Sequence, residues 1–336
     1  MPPSGRRPPG LSPSRELAGE LAAALTALDS LDEGGLLNRA ELGSLVADAV
    51  LATYRRLGGE DSTVRAHVDL DRAGFELLGR GADGEIRAVD PGHSDFVRQA
   101  AEAARVAVAG RIREAMRESV VREFSGRTGE LVDSLVEHHA GDRWHLTVEG
   151  RQAVLPFAEQ IAGEELRLHA HLKVVVIDVR LRVKDAQVIV SRTDPRLVAR
   201  LLEREVPELV SGQVEIRGIA REPGRRCKVA VWAPRGGVDA PGACIGPKGV
   251  RHRAVVSELG GEQVQIIPWS EDPAAFVADA LTPATIRGVE LDQATRTAHV
   301  AVPADQLSLA IGRSGENARL TARLTGWRID IRAAAA

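Results

Sequence analysis

The amino-acid sequence predicts an α+β protein of several domains: a small α+β domain with one long helix, a five-stranded β-barrel, and two copies of a unit ordered α-β-β-α-α-β. Three observations carry this. The chain has 336 residues, against roughly 100–200 for a typical domain. Its apolar period switches from helical to alternating and back. The pattern Ile-Gly-x-x-Gly occurs twice, at Ile245–Gly249 and Ile311–Gly315, each time between two helical stretches.

The first elements fall in residues 16–127. Residues 1–15, rich in Pro, Ser and Gly, read as a disordered tail; Arg6-Arg7 precede no apolar run, so this is no secretory signal. In "NRAELGSLVADAVLATYRRLGG", Leu42, Leu45, Val46, Val50 and Tyr54 recur at helical spacing, and Gly58-Gly59 ends the helix. Val64, Ala66, Val68 and Leu70 then alternate with Arg65, His67 and Asp69, as in a half-buried strand. "DRAG" turns the chain into "FELLG", and a long helix is expected from about Ser94 to Phe124.

Residues 128–194 change character. "GELVDSLVEHH", "RWHLTV", "RQAVLPF", "LRLHAHLKVVVIDVR" and "AQVIVSR" are five β-type runs separated by Gly and polar turns, which suits a small barrel of the OB type. The spacing of its last two strands is similar to that of an S1 domain.

Residues 195–270 and 271–332 repeat one another. The first has helix "RLVARLLEREVPELV", strands "QVEIRGIARE" and "RCKVAVWA", a short helix up to Gly246, helix "VRHRAVVSELGG" and strand "QVQIIPW". The second has helix "AAFVADAL", strands "TIRGVELD" and "RTAHVAVP", helix "DQLSLAIG", helix "ENARLTARLTGW" and strand "RIDIR". With Gly-x-x-Gly between the two middle helices, this order resembles a bacterial, type II KH domain.

That pattern suits a nucleic-acid backbone. A KH module clamps about four nucleotides of single strand, with the glycine pair at the sugar-phosphate chain. Glycine lacks a Cβ and admits close approach, and the loop opens a helix whose free N–H groups attract phosphate. The candidate RNA-binding residues are therefore Gly246, Pro247, Lys248, Gly249, Arg251 and Arg253 in the first copy. In the second they are Gly312, Arg313, Ser314, Gly315, Asn317, Arg319 and Arg323. Arg319 and Arg323, four residues apart, also read as a solvated helix face. Ile245, Ile311, Trp269 and Trp327 read as core.

Charge and composition bound the remaining possibilities. The net charge is −3. It is unevenly spread: residues 211–336 hold 16 Lys and Arg against 13 Asp and Glu, and the rest hold 28 against 34. The front is acidic and the back mildly basic. Two cysteines, Cys227 and Cys244, are too few for a disulfide framework and read as buried thiols of a cytoplasmic protein. No apolar run reaches the roughly 20 residues of a membrane helix. There is no P-loop, no HExxH and no nucleophile elbow. His169 and His171 would share a face of one strand, yet further metal ligands are not evident. No enzyme activity, cofactor or metal is expected.

The stretches "SRTDPRLVARLLEREVPELVSGQVEIRGIAREPGRR", "GACIGPKG", "SELGGE", "DPAAFVADALTPA" and "LSLAIGRSGENARLTARLTGWRIDI" resemble the NusA family of bacterial transcription factors, most of all its actinobacterial branch. The domain order matches over almost the whole chain. The resemblance implies a monomeric cytoplasmic factor whose N-terminal domain binds RNA polymerase and whose S1-KH-KH unit binds nascent RNA. It implies a role in pausing, termination and antitermination. The competing expectations are the KH and S1 module of an exoribonuclease-like processing system, in which KH precedes S1, and a ribosome-associated RNA-binding protein. With chiefly Trp144 and Phe157 for stacking, the barrel's part in RNA binding is open.

Overall fold

The computed structural model of the protein describes residues 38–70, 74–182 and 186–334. The expected tail, and the early acidic residues Glu16, Glu20, Asp29, Asp32 and Glu33, lie outside the described residues.

The N-terminal unit begins with helix α1 (Arg39–Arg56). Asn38 caps it: its side chain accepts from Glu41 N–H at 2.9 Å, and the Glu41 carboxylate accepts from Asn38 N–H at 3.2 Å. Strands β1 (Arg65–Asp69), β2 (Gly74–Arg80) and β3 (Ile86–Ala88) form an antiparallel sheet. The sequence reading missed β3, whose three side chains are all exposed and so carry no apolar signature. Helix α2 (Phe96–Phe124) follows. Its Phe96 meets Tyr54 and Phe75 edge-on and, with Leu42, Val46 and Val50, builds one core.

In the second unit, β4 (Leu131–Ala140), β5 (Arg143–Val148), β6 (Arg151–Pro156), β7 (His171–Leu181) and β8 (Ala186–Ser191) close a barrel in the order β4-β5-β6-β8-β7. Its filling is almost purely aliphatic, with Val132, Val136, Leu146, Val174 and Val188 nearly inaccessible. Ser134 points inward and donates to Leu172 O at 2.7 Å, so its hydroxyl does not go unsatisfied.

The first repeat has α3 (Pro195–Glu205), α4 (Pro207–Val210), β9 (Glu215–Glu222), β10 (Arg226–Trp232), α5 (Ala240–Ile245), α6 (Val250–Glu258) and β11 (Gln263–Pro268). The second has α7 (Pro273–Ala280), β12 (Gly288–Asp292), β13 (Thr297–Val302), α8 (Leu307–Ile311), α9 (Glu316–Thr325) and β14 (Arg328–Ala333). In each sheet the middle strand pairs antiparallel with the strand before it and parallel with the strand after the two helices. Proline follows the capping Asp at the start of both α3 and α7, where its missing N–H costs nothing. No helix among the described residues is long and apolar enough to cross a membrane.

Two corrections follow. His169 does not share a strand with His171; it lies before β7 in a turn, with φ 60°. Among the described residues no three His, Cys, Asp or Glu side chains are placed to hold a metal ion. Ile245 and Ile311 are not core: they are 40% and 38% exposed. The short helices α5 and α8 bury only their small residues, Ala240 and Cys244 in one and Ala310 in the other. The bulkier Ile at each C-terminus is left beside the loop.

Candidate nucleic-acid interface

Both glycine loops have one backbone shape. Gly246 and Gly312 turn with φ 73° and 77°, Lys248 and Ser314 both sit at φ 52°, and Gly249 and Gly315 at 73° and 74°. The first glycine of each pair is required twice over. Its φ is left-handed, and a Cβ there would lie 2.7 Å from Arg251 Cγ or 2.8 Å from Asn317 Cβ. The last glycine donates to the carbonyl of the first, at 2.9 Å and 3.1 Å, which closes each turn.

Equivalent side chains brace the two loops from behind. Five residues after the first glycine, Arg251 donates to Ala243 O at 2.7 Å and Asn317 to Leu309 O at 3.3 Å. Seven residues after it, Arg253 donates to Lys248 O at 2.5 Å and Arg319 to Ser314 O at 3.2 Å. In both copies an arginine holds the carbonyl of the left-handed residue.

The candidate residues separate by position. Pro247, Lys248, Arg253, Arg313, Ser314, Arg319 and Arg323 are exposed. Asn317 is fully buried, with its amide donating also to Leu281 O and Ala310 O at 3.0 Å, so it supports the loop from inside the fold. Arg251 is half-buried and tied to Glu208 at 2.8 Å. Arg319 is held in a fork by Glu222 at 2.6 and 3.0 Å, with Arg323 3.8 Å from the same carboxylate. These arginines, Arg319 first, hold the Glu222 carboxyl below the usual carboxylate range. For Arg253 no carboxylate lies within ion-pair distance among the described residues. Exposed apolar side chains flank both loops: Ile245 and Val250 at the first, Leu309 and Ile311 at the second.

The sequence reading missed the groups that join the copies. Glu222, on β9, belongs to the first module and Arg319, on α9, to the second. The charges reciprocate: Arg225 and Arg226 lie 3.4 and 3.7 Å from Glu316 at the start of α9. Between these pairs Ala230, Ile267, Phe276 and Ala280 form an apolar core with Trp269 and Leu324. Lys228, fully buried, donates to Gln265 Oε1 and to Ala280 O, both at 2.7 Å. Burial pushes its ammonium down to about 7; Arg226 adds to the push and Glu316 opposes it. The only sequence signal was the run "REPGRR", whose partners lie about a hundred residues on.

The barrel meets the first module through charge as well. Arg192, 1% exposed, donates to Lys173 O and Glu258 O, both at 2.9 Å, and pairs with Glu164. Elsewhere on the barrel, the His138 and His145 rings stack at 4.5 Å and His139 tilts against Trp144. Phe157 is 72% exposed.

Comparison with known proteins agrees with this architecture. Residues 192–269 match the model of a NusA-like first KH domain, and residues 273–336 that of a NusA-like second KH domain. A curated protein of Mycobacterium tuberculosis, called transcription termination/antitermination protein NusA, is 41% identical over 92% of each chain. The protein of that name from Halalkalibacterium halodurans is 35% identical over 93% of this chain and 88% of its own. That from Bacillus subtilis is 41% identical over 74% of this chain and 67% of its own. The chain belongs to the NusA family.

Proposed function

We propose that this family member is a non-enzymatic transcription factor that binds single-stranded nascent RNA with its tandem KH modules, residues 195–332, and core RNA polymerase with residues 16–127. It modulates pausing, termination and antitermination in the cytoplasm, as a monomer. The relatives' names support the process. The observation that carries the RNA reading is the pair of identically folded loops, each opening a helix and presenting an exposed cation, Lys248 or Arg313, between its glycines. Phosphate is attracted by the cation and by the free N–H groups of the helix start. The apolar side chains beside each loop suit the faces of unstacked bases. The RNA-facing set is Gly246, Pro247, Lys248, Gly249 and Arg253 with Gly312, Arg313, Ser314 and Gly315; Arg251, Asn317, Arg319 and Arg323 act behind it.

A salt titration of RNA binding tests the phosphate clamp: each phosphate neutralised should lower log K by about 0.7 per log unit of salt. A flat titration overturns it. The division of labour is tested by offering fragments 1–127 and 125–336 separately to polymerase and to labelled RNA. The first should retain polymerase alone and the second should shift RNA alone. If the second holds polymerase as tightly as the full chain, the assignment is wrong.

A further inference from the structure

We propose that Glu222, on the first module's strand β9, is a positioning residue for the second module's loop: it orients Arg319, and Arg319 holds the backbone of Ser314. This rests on the RNA-binding reading above and says how one module sets the grip of the other.

The geometry is specific. A guanidinium is planar, with five donors in a fixed fork, so fixing two of its nitrogens fixes the third. Glu222 takes Nε at 2.6 Å and Nη2 at 3.0 Å. The remaining nitrogen, Nη1, is thereby aimed at Ser314 O, which it reaches at 3.2 Å. That carbonyl belongs to the peptide plane between Ser314 and Gly315, whose N–H closes the turn on Gly312 O at 3.1 Å. Ser314 needs such support because φ 52° is an uncommon conformation for a residue with a Cβ.

Glu222 is itself well anchored. Its side chain is 14% exposed against 41% for Arg319, so the carboxylate is the fixed end of the strut. The adjoining apolar seam and the Glu316 pairs hold the two modules in register around it. The first module supplies the contrast. Arg253 makes the same bond to Lys248 O, yet among the described residues it has no carboxylate behind it.

The proposal predicts a result opposite to simple electrostatics. Removing a negative charge near a nucleic-acid site normally strengthens binding. If Glu222 positions the loop, Glu222→Gln must weaken it. The experiment is a double-mutant cycle on the full chain, using a labelled mixed-sequence single-stranded RNA of about 12 nucleotides, enough for two four-nucleotide clamps. In the intact chain E222Q should lower affinity about tenfold, as loss of a charge-assisted contact does. In a chain whose second loop is already broken by Arg313→Asp with Ser314→Asp, E222Q should change affinity less than twofold, because the two act as one unit. Glu222→Asp, which keeps the charge, should recover most of the loss. A rise in affinity, or an equal fall in both backgrounds, overturns the proposal. Should E222Q fold poorly, Arg319→Lys carries the test: it keeps the charge, loses the fork, and must show the same two-background pattern. If breaking either loop leaves RNA binding untouched, the RNA reading itself has failed, and that outcome is distinct from the others.

Discussion

The two glycine loops share a backbone to within a few degrees and differ in what surrounds their charges. At the first, Lys248 and Arg253 are exposed with no carboxylate in ion-pair reach among the described residues. At the second, Arg313 is exposed, while Arg319 and Arg323 face Glu222 from the neighbouring module. The brace behind the first loop is a half-exposed ion pair, Arg251 with Glu208; behind the second it is a neutral amide, Asn317, sealed in the core. A repeated motif thus reproduces geometry, since geometry is local. It does not reproduce electrostatics, since the counter-charges come from whatever packs alongside. The first loop should supply the larger share of phosphate attraction, and the second should depend more on structural support.

This contrast can be broken most directly at the loops. Replacing Pro247 and Lys248 by Asp should lower affinity for single-stranded RNA about 100-fold, and replacing Arg313 and Ser314 by Asp about tenfold, by repulsion of phosphate at closest approach. Filter binding at fixed salt measures both. Equal losses would show that the Glu222 pairing does not set the loops apart.

Stability should order the loops the other way. Asn317→Ala removes an amide that donates to two buried carbonyls, those of Leu281 and Ala310, and should cost about 1–3 kcal/mol in urea unfolding. Arg251→Ala breaks a part-exposed pair and should cost about 1 kcal/mol or less.

Salt dependence sharpens the point. Lys248→Ala should reduce the slope of log K against log salt by about 0.7, the value for one neutralised phosphate on a single strand. Arg319→Ala should leave the slope nearly unchanged, because Glu222 already neutralises that cation.

A further effect concerns the seam between the modules. An unfolded lysine keeps its proton to about pH 10, while folded Lys228 begins to lose it near 7. Between those values the unfolded state binds more protons, so stability rises with pH. Its two 2.7 Å bonds survive, because a neutral amine still has two N–H groups. Lys228→Met should abolish that rise in melts taken from pH 7 to 9.

Much of this fold could be read in the sequence because its signals are local. The helix carrying Leu42 to Tyr54, the five β-type runs of the barrel and the doubled α-β-β-α-α-β order all follow from periodicity and turn residues. Strand β3 escaped because nothing on it is buried. Ile245 and Ile311 misled because apolar residues before a glycine turn normally pack inward, whereas helices of six and five residues have room to bury only Ala and Cys. The loops themselves were legible; Glu222, Lys228 and Glu316 were not, because each acquires its role from residues about 50 to 100 positions away.

The contact between the modules also has a direction. Helix α9 of the second lies on the sheet of the first, with Leu324 facing Gly218 of β9 and packed beside Ala230 of β10. Such a head-to-tail, heterologous joint does not close on itself. It gives the pair a polarity, and RNA has one too, from 5′ to 3′. A strand laid across both loops can therefore fit in one sense only. An oligonucleotide and the same bases written in reverse order become different ligands, although their composition and charge are the same.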